Sequence, residues 1–166
     1  MQYRNFGKTG IKVSALGFGT MRFPLLHDEA VDEERAIGMI RHAIDEGVNY
    51  IDTAYPYHQG ESERIVGKAL ADGYREKTYL ATKCPVWKLQ KAEDFETLLN
   101  EQLEKLNTDH IDFYLLHALS GERMEDKVKP FELIKRMEKA KAEGKIRYLG
   151  FSFHDSYDVF QDIIDL

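Results

Sequence analysis

Asn49-Tyr50-Ile51-Asp52-Thr53-Ala54-Tyr55-Pro56-Tyr57 is a short apolar run that breaks at Pro56, with Asp52 near its end and Tyr57 just past it. A carboxylate placed where a buried strand emerges is costly unless something pairs with it. Two later runs end the same way. Thr78-Tyr79-Leu80-Ala81-Thr82 leads to Lys83, and Ile111-Asp112-Phe113-Tyr114-Leu115-Leu116 leads to His117. Three strand-like segments therefore each deliver one ionisable residue at a C-terminal end, which points to convergence on one site.

Working outward, residues 2–14 read as a hairpin turning through Gly7-Lys8-Thr9-Gly10, with glycines supplying the turn dihedrals. Ala15 to Met21 reads as a glycine-rich strand and Pro24 to Glu29 as a loop. Asp32 to Glu46 carries Ile37, Ile40 and Ile44 on one helical face. Ser62 is in place to cap a second helix with Ile65, Val66, Ala69 and Leu70 inward. A third helix carries Phe95, Leu98, Leu99, Leu103 and Leu106, with Asn107 as a left-handed stop. Ser120 to Lys129 reads as a loop, followed by a helix with Phe131, Ile134, Met137 and Ala140. The last strand runs from Ile146 to Ser152, and Asp155 or Ser156 is placed to cap a final helix.

A hairpin followed by alternating strands and helices implies α/β architecture: a parallel sheet with helices outside. An open dinucleotide-binding sheet would want Gly-x-Gly-x-x-Gly after its first strand. Gly17-Phe18-Gly19-Thr20-Met21-Arg22 lacks the third glycine. Ionisable residues at successive strand ends suit a (β/α)8 TIM barrel. Such a barrel needs about 250 residues. The 166 residues here supply an N-terminal hairpin and about five strands, so residues 1–166 read as a single, incomplete barrel domain.

The composition bounds the partners. A net charge of −6 argues against nucleic acid, whose phosphates call for clustered Lys and Arg. With one cysteine, Cys84, an internal disulfide is excluded, and no spacing suggests a metal site. No apolar run approaches the roughly 20 residues of a membrane span, and the N-terminus lacks a signal-peptide pattern, which fits a cytoplasmic protein.

Asp52, Tyr57, Lys83 and His117 make chemical sense together. A lysine beside a tyrosine favours the phenolate, and an aspartate paired with that lysine keeps it charged. A tyrosine so placed can protonate a carbonyl oxygen, and a histidine can orient that oxygen. None of these groups donates hydride, so a cofactor must. Taken singly, each has an ordinary reading: a capping carboxylate, a packing aromatic, a solvated charge, a satisfied core histidine. Tyr55 and Trp87 are candidates to line a substrate pocket, or else pack in loops. Cys84 reads as an inert small residue.

At these residues the chain resembles the aldo-keto reductase family. Asp52-Thr53-Ala54 with Tyr57 five positions after Asp52 matches that family's first signature, extended by Gly60-Glu61-Ser62-Glu63 and Gly67. Ala81-Thr82-Lys83 matches its lysine strand, and Asp112 to His117 its histidine strand. The resemblance implies a (β/α)8 barrel, NADPH as cofactor, small carbonyl substrates and Tyr57 as proton donor. It also implies that Gly19, Thr20, Met21, Asp52 and Ser152 lie near the nicotinamide. Ser152-Phe153-His154 stands where many members have Ser-Asn, resembling a bacterial branch that often carries an iron–sulfur extension. The family's strands six to eight, which hold most phosphate contacts, have no counterpart here. The rival expectation is a catalytically silent half-barrel that self-associates through its open sheet edges.

Overall fold

The computed structural model describes residues 1–165. A two-stranded antiparallel hairpin, β1 (Tyr3–Asn5) and β2 (Lys12–Ser14), precedes a five-stranded parallel sheet. The sheet comprises β3 (Phe18–Gly19), β4 (Tyr50–Asp52), β5 (Tyr79–Cys84), β6 (Ile111–Leu119) and β7 (Ile146–Phe153), paired in chain order. Helices α1 (Glu33–Asp45), α2 (Ser62–Ala69), α3 (Asp94–Leu106), α4 (Leu133–Ala142) and α5 (Tyr157–Ile164) fall between and after the strands. This is the wall of an incomplete α/β barrel, with β3 and β7 at its two edges.

Local signals explain most boundaries. Asp32 caps α1 by accepting from Arg35 N (3.1 Å), and Asn107 ends α3 with φ 49°. Several expectations fail. Ser62 is the first residue of α2 rather than its cap, because its hydroxyl is drawn inward to Thr20 and Thr53. The segment expected to be a loop, 120–129, coils into a helical turn at Gly121–Arg123 and a wider turn at Met124–Val128, with Met124 and Val128 buried. Helix α4 begins only at Leu133, after Glu132 takes φ 51°.

Strand alternation sorts side chains between two faces. On the helix-facing side Leu80, Tyr114 and Leu116 join the core, with Tyr114 edge-on to Phe95 of α3 (6.0 Å). Helices α2 and α3 touch through Gly67. A Cβ there would stand 2.7 Å from Lys105 O and 2.8 Å from Leu106 O, so any larger residue forces the helices apart. On the other face, at the N-terminal end of the strands, Phe113 is surrounded by Tyr50 (5.3 Å), Tyr79 (6.4 Å) and Tyr148 (5.0 Å). Phe6 from the hairpin closes this layer at 4.8 Å. The aromatic floor fills one end of the barrel interior and leaves the C-terminal ends of the strands for chemistry.

The same floor is tied by charge. Asp112 is fully buried at the start of β6. Its carboxylate accepts from Arg75 Nη2 (2.8 Å), Arg147 Nη1 (2.8 Å) and Leu80 N (2.9 Å), linking β5, β6 and β7. Breaking a buried, fully bonded pair strands its partner charges, whereas an exposed pair contributes little. Asp112→Ala is expected to lower the unfolding free energy by about 3 kcal/mol or more. Asp72→Asn, which removes the charge of the exposed partner of Arg41 and keeps a residue tolerant of the φ 58° found there, should cost under ~1 kcal/mol. Urea unfolding of the two variants checks this; equal losses would contradict the distinction between buried and exposed pairs.

Candidate active site

Parallel register sets the site. Gly19 pairs with Asp52, Asp52 with Ala81, Lys83 with Leu115, and Leu115 with Gly150. The residues ending β4, β5 and β6 therefore rise to one rim. Lys83 Nζ donates to Asp52 Oδ1 (2.7 Å) and to Thr53 O (2.7 Å). The Lys83 side chain is 7% exposed and that of Asp52 is 30% exposed. An ammonium so buried needs the carboxylate to remain charged. The second oxygen of Asp52 has no partner among the described residues.

Tyr57 arrives on the turn after β4, where its amide donates to Ala54 O (3.1 Å). Lys83 Nζ lies 5.2 Å from the centre of its ring. The His117 ring meets Tyr57 edge-on at 6.2 Å. All four sequence-derived residues thus meet at one rim.

His117 is held neutral. Burial first, then the charges of Lys83, Arg123 and His154, push its pKa down from 6.5 to about 4. Its Nδ1 is buried without a hydrogen-bond partner. A neutral imidazole still carries one N–H, the donor that a carbonyl oxygen requires.

The other expected residues divide. Trp87 comes to the site, 5.1 Å from the His117 ring. Tyr55 turns its hydroxyl to the helix layer, while sharing the lining of a cavity of about 350 Å³ with Pro56 and Trp87. Its hydroxyl donates to Glu101 Oε1 (3.2 Å), and Lys105 Nζ sits 4.0 Å over its ring. Met21 is exposed and lines a cavity of about 400 Å³ with Arg22, Phe23, Pro56, Tyr57 and His58. Gly19 opens onto free space: a Cβ added there would meet nothing within 4 Å. Thr20 is fully buried, and its hydroxyl is occupied by Ser62 (2.8 Å) and Asp52 O (3.1 Å). Ser152 accepts from Ala118 N (2.7 Å), leaving its own proton available. Phe153 packs against Phe151 and Phe160 in the helix layer. A larger hollow, about 810 Å³, lies at the opposite strand ends beside Arg75 and His110 and touches none of the four.

Two supports escaped the sequence. His58 follows Tyr57 with φ 51°, a backbone conformation that disfavours side chains. It is held there because its Nε2 accepts from Phe23 N (3.1 Å) and its ring stacks on Phe23 (5.2 Å). Gln102, inside α3, donates to Lys83 O (3.1 Å) and to Glu63, and accepts from Tyr114 (2.7 Å). Burial pushes the Glu63 carboxyl up, against the hydrogen bonds from Thr82 and Gln102. A polar residue on an otherwise apolar helix face was the available signal for Gln102. Cys84 is fully buried, and burial drives its thiol up to about 12, which fits an inert role.

A sequence model of the Aldo/keto reductase family matches residues 15–165. The chain belongs to the aldo/keto reductase family. It is 36% identical over 162 residues to the aldo-keto reductase YhdN of Bacillus subtilis, covering 92% of this chain and 47% of that protein. The fold is similar to aldo-keto reductase AKR11C1 from Bacillus halodurans in its holo form, with TM-score 0.82 and 32% identity, over 99% of this chain and 54% of that one. It is also similar to an aldo-keto reductase from Klebsiella pneumoniae in complex with NADPH, with TM-score 0.77 and 31% identity, over 94% and 51%. The chain spans about half the length of the curated relatives it matches. Among the described residues no helix is long and apolar enough to cross a membrane.

The electrostatics of His117 are directly measurable. Following its ring proton shifts against pH by NMR should give a midpoint about 4, with the imidazole protonating only in acid. A midpoint near the ordinary 6.5 would show that the ring is solvated and not part of an enclosed site.

Proposed function

We propose that this chain is an oxidoreductase that reduces small aldehydes or ketones, with Tyr57 as proton donor and NADPH as cofactor. The observation that carries this reading is the placement of Lys83 Nζ, bound to Asp52 and set 5.2 Å from the Tyr57 ring, with neutral His117 edge-on to the same ring.

The roles follow from the geometry. His117 holds the carbonyl oxygen by its N–H and turns it toward Tyr57. Tyr57 gives its phenolic proton to that oxygen as negative charge develops there. The Lys83 ammonium stabilises the phenolate left behind, and Asp52 keeps that ammonium charged. NADPH, when bound, supplies the hydride. The rim fits the nicotinamide end of such a cofactor. Gly19 leaves room for a flat ring, the free oxygen of Asp52 accepts, and the Ser152 hydroxyl donates. The described residues at the rim offer no comparable cradle for its phosphates.

A second reading has a specific motive. Strands β3 and β7 each have one unpaired edge, and open edges invite pairing with another chain. On that reading the chain is a self-associating half-barrel that does no reduction. Light scattering separates the two, because a strictly monomeric species counts against the half-barrel module.

Tyr57→Phe keeps the ring that packs beside His117 and deletes the proton. It should lower carbonyl reduction by about 100-fold or more, the usual scale for losing a general acid, with the circular dichroism spectrum unchanged. Unchanged turnover of a short aldehyde in that variant would sink the assignment.

A further inference from the structure

We propose that Arg123 forms an anion subsite beside His117, so that the favoured substrates are short aldehydes or ketones that also carry a carboxylate. This rests on the proposed carbonyl reduction and names the substrate class of the same site.

Arg123 lies in the helical turn Gly121–Arg123, directly after β6 delivers His117. Its guanidinium carbon stands 5.4 Å from the centre of the Trp87 ring, and His117 lies 5.1 Å from the same indole. Guanidinium and imidazole thus share one indole as a neighbour. One nitrogen of the guanidinium is fixed by donating to Ala118 O. Ala118 itself has φ 52°, an unfavourable backbone state for alanine, and is gripped from both sides: its N–H by Ser152 Oγ and its carbonyl by Arg123. The cation is therefore positioned by a rigid strand end rather than waving in solvent.

Its charge has no local partner. Among the described residues no carboxylate lies within ion-pair distance of Arg123. Glu122 of the same turn is exposed and makes no ion pair with Arg123, Glu125 is paired with Lys129, and Asp155 has its carboxylate engaged by the amides of Gly121 (2.9 Å) and Ser156 (2.7 Å). Lys83, the other cation of the rim, is neutralised by Asp52. The effect of Arg123 reaches the catalytic ring, since it is among the charges that keep His117 deprotonated. A guanidinium fixed beside an indole, with free N–H groups, is suited to bind a carboxylate by two parallel bonds. A carbonyl compound whose reacting oxygen meets Tyr57 and His117, and whose acid group lies a few carbons away, satisfies both ends. The same donors could meet a phosphate of the cofactor, and the test separates the two sources.

The chain has a single tryptophan, so Trp87 gives one indole N–H resonance. Without cofactor, titration with butanoate should shift that resonance, whereas titration with butanamide should not. Arg123→Met should abolish the shift, and Arg123→Lys should retain part of it, with the circular dichroism spectra of both variants matching the parent. No carboxylate-dependent shift, or an equal shift in Arg123→Met, would overturn the subsite. The turnover arm compares 4-oxobutanoate with butanal. Arg123→Met should lose about tenfold or more in kcat/KM for the acid relative to butanal, which is ~1.4 kcal/mol, and leave the KM for NADPH unchanged. Equal loss for both aldehydes would make Arg123 a structural residue, and a rise in the NADPH KM alone would make it a phosphate ligand. Each of these outcomes overturns the proposal. If neither aldehyde is turned over, the reductase reading fails while the resonance titration still decides whether the anion subsite exists.

Discussion

Lys83 Nζ lies 2.7 Å from Asp52 Oδ1 and 2.7 Å from Thr53 O, with its side chain almost wholly out of solvent. A lone ammonium in that position would carry a desolvation cost of several kcal/mol. The carboxylate at the end of β4 and the carbonyl that follows it keep the charge in place. Everything else at the rim takes its character from that charge. It stands against the Tyr57 ring, and it helps burial keep His117 neutral. The pair also bridges β4 and β5, so the catalytic proposal and the sheet register depend on one contact.

That contact is braced from the helix layer. Gln102 reaches from α3 to the carbonyl of Lys83, and it shares Glu63 with Thr82. Glu63 is fully buried, with one oxygen lacking a hydrogen-bond partner and Lys105 Nζ 4.0 Å away. A half-satisfied buried carboxylate is costly, and its retention between α2 and α3 goes with the close helix contact at Gly67. On the opposite end of the sheet, Asp112 with Arg75 and Arg147 does for the floor what Lys83 with Asp52 does for the rim. The two ion-pair knots fix both ends of the strands, and the aromatic layer around Phe113 fills the space between floor and site.

Much of this was legible in the sequence, because alternation and strand-end residues are local signals. The five strands, the order of helices and the Asn107 stop all follow from residue type and spacing. The convergence of Asp52, Tyr57, Lys83 and His117 was legible because parallel strands in register carry their C-terminal ends to one side. What was not legible depended on contacts distant in sequence. Ser62 carries a capping side chain, yet two buried threonines just past β3 and β4 outcompete the helix amides for it. Tyr55 and Trp87 looked equivalent as loop aromatics. Glu101 and Lys105 on α3 claim the first, and only the second remains beside His117. Nothing local marks His58, since its bond to the Phe23 amide exists only once β3 and β4 are side by side.

If five strands suffice to assemble a working rim around Lys83, the purified 166-residue chain must bind NADPH unaided. Titration of that chain with NADPH, followed by cofactor fluorescence, decides the matter. Saturable binding is expected, weaker than micromolar because the described residues at the rim offer no phosphate cradle, and lost when Lys83 or Asp52 is replaced. No binding at millimolar cofactor would contradict it, and the four residues would then mark family membership without a reductase activity in this chain.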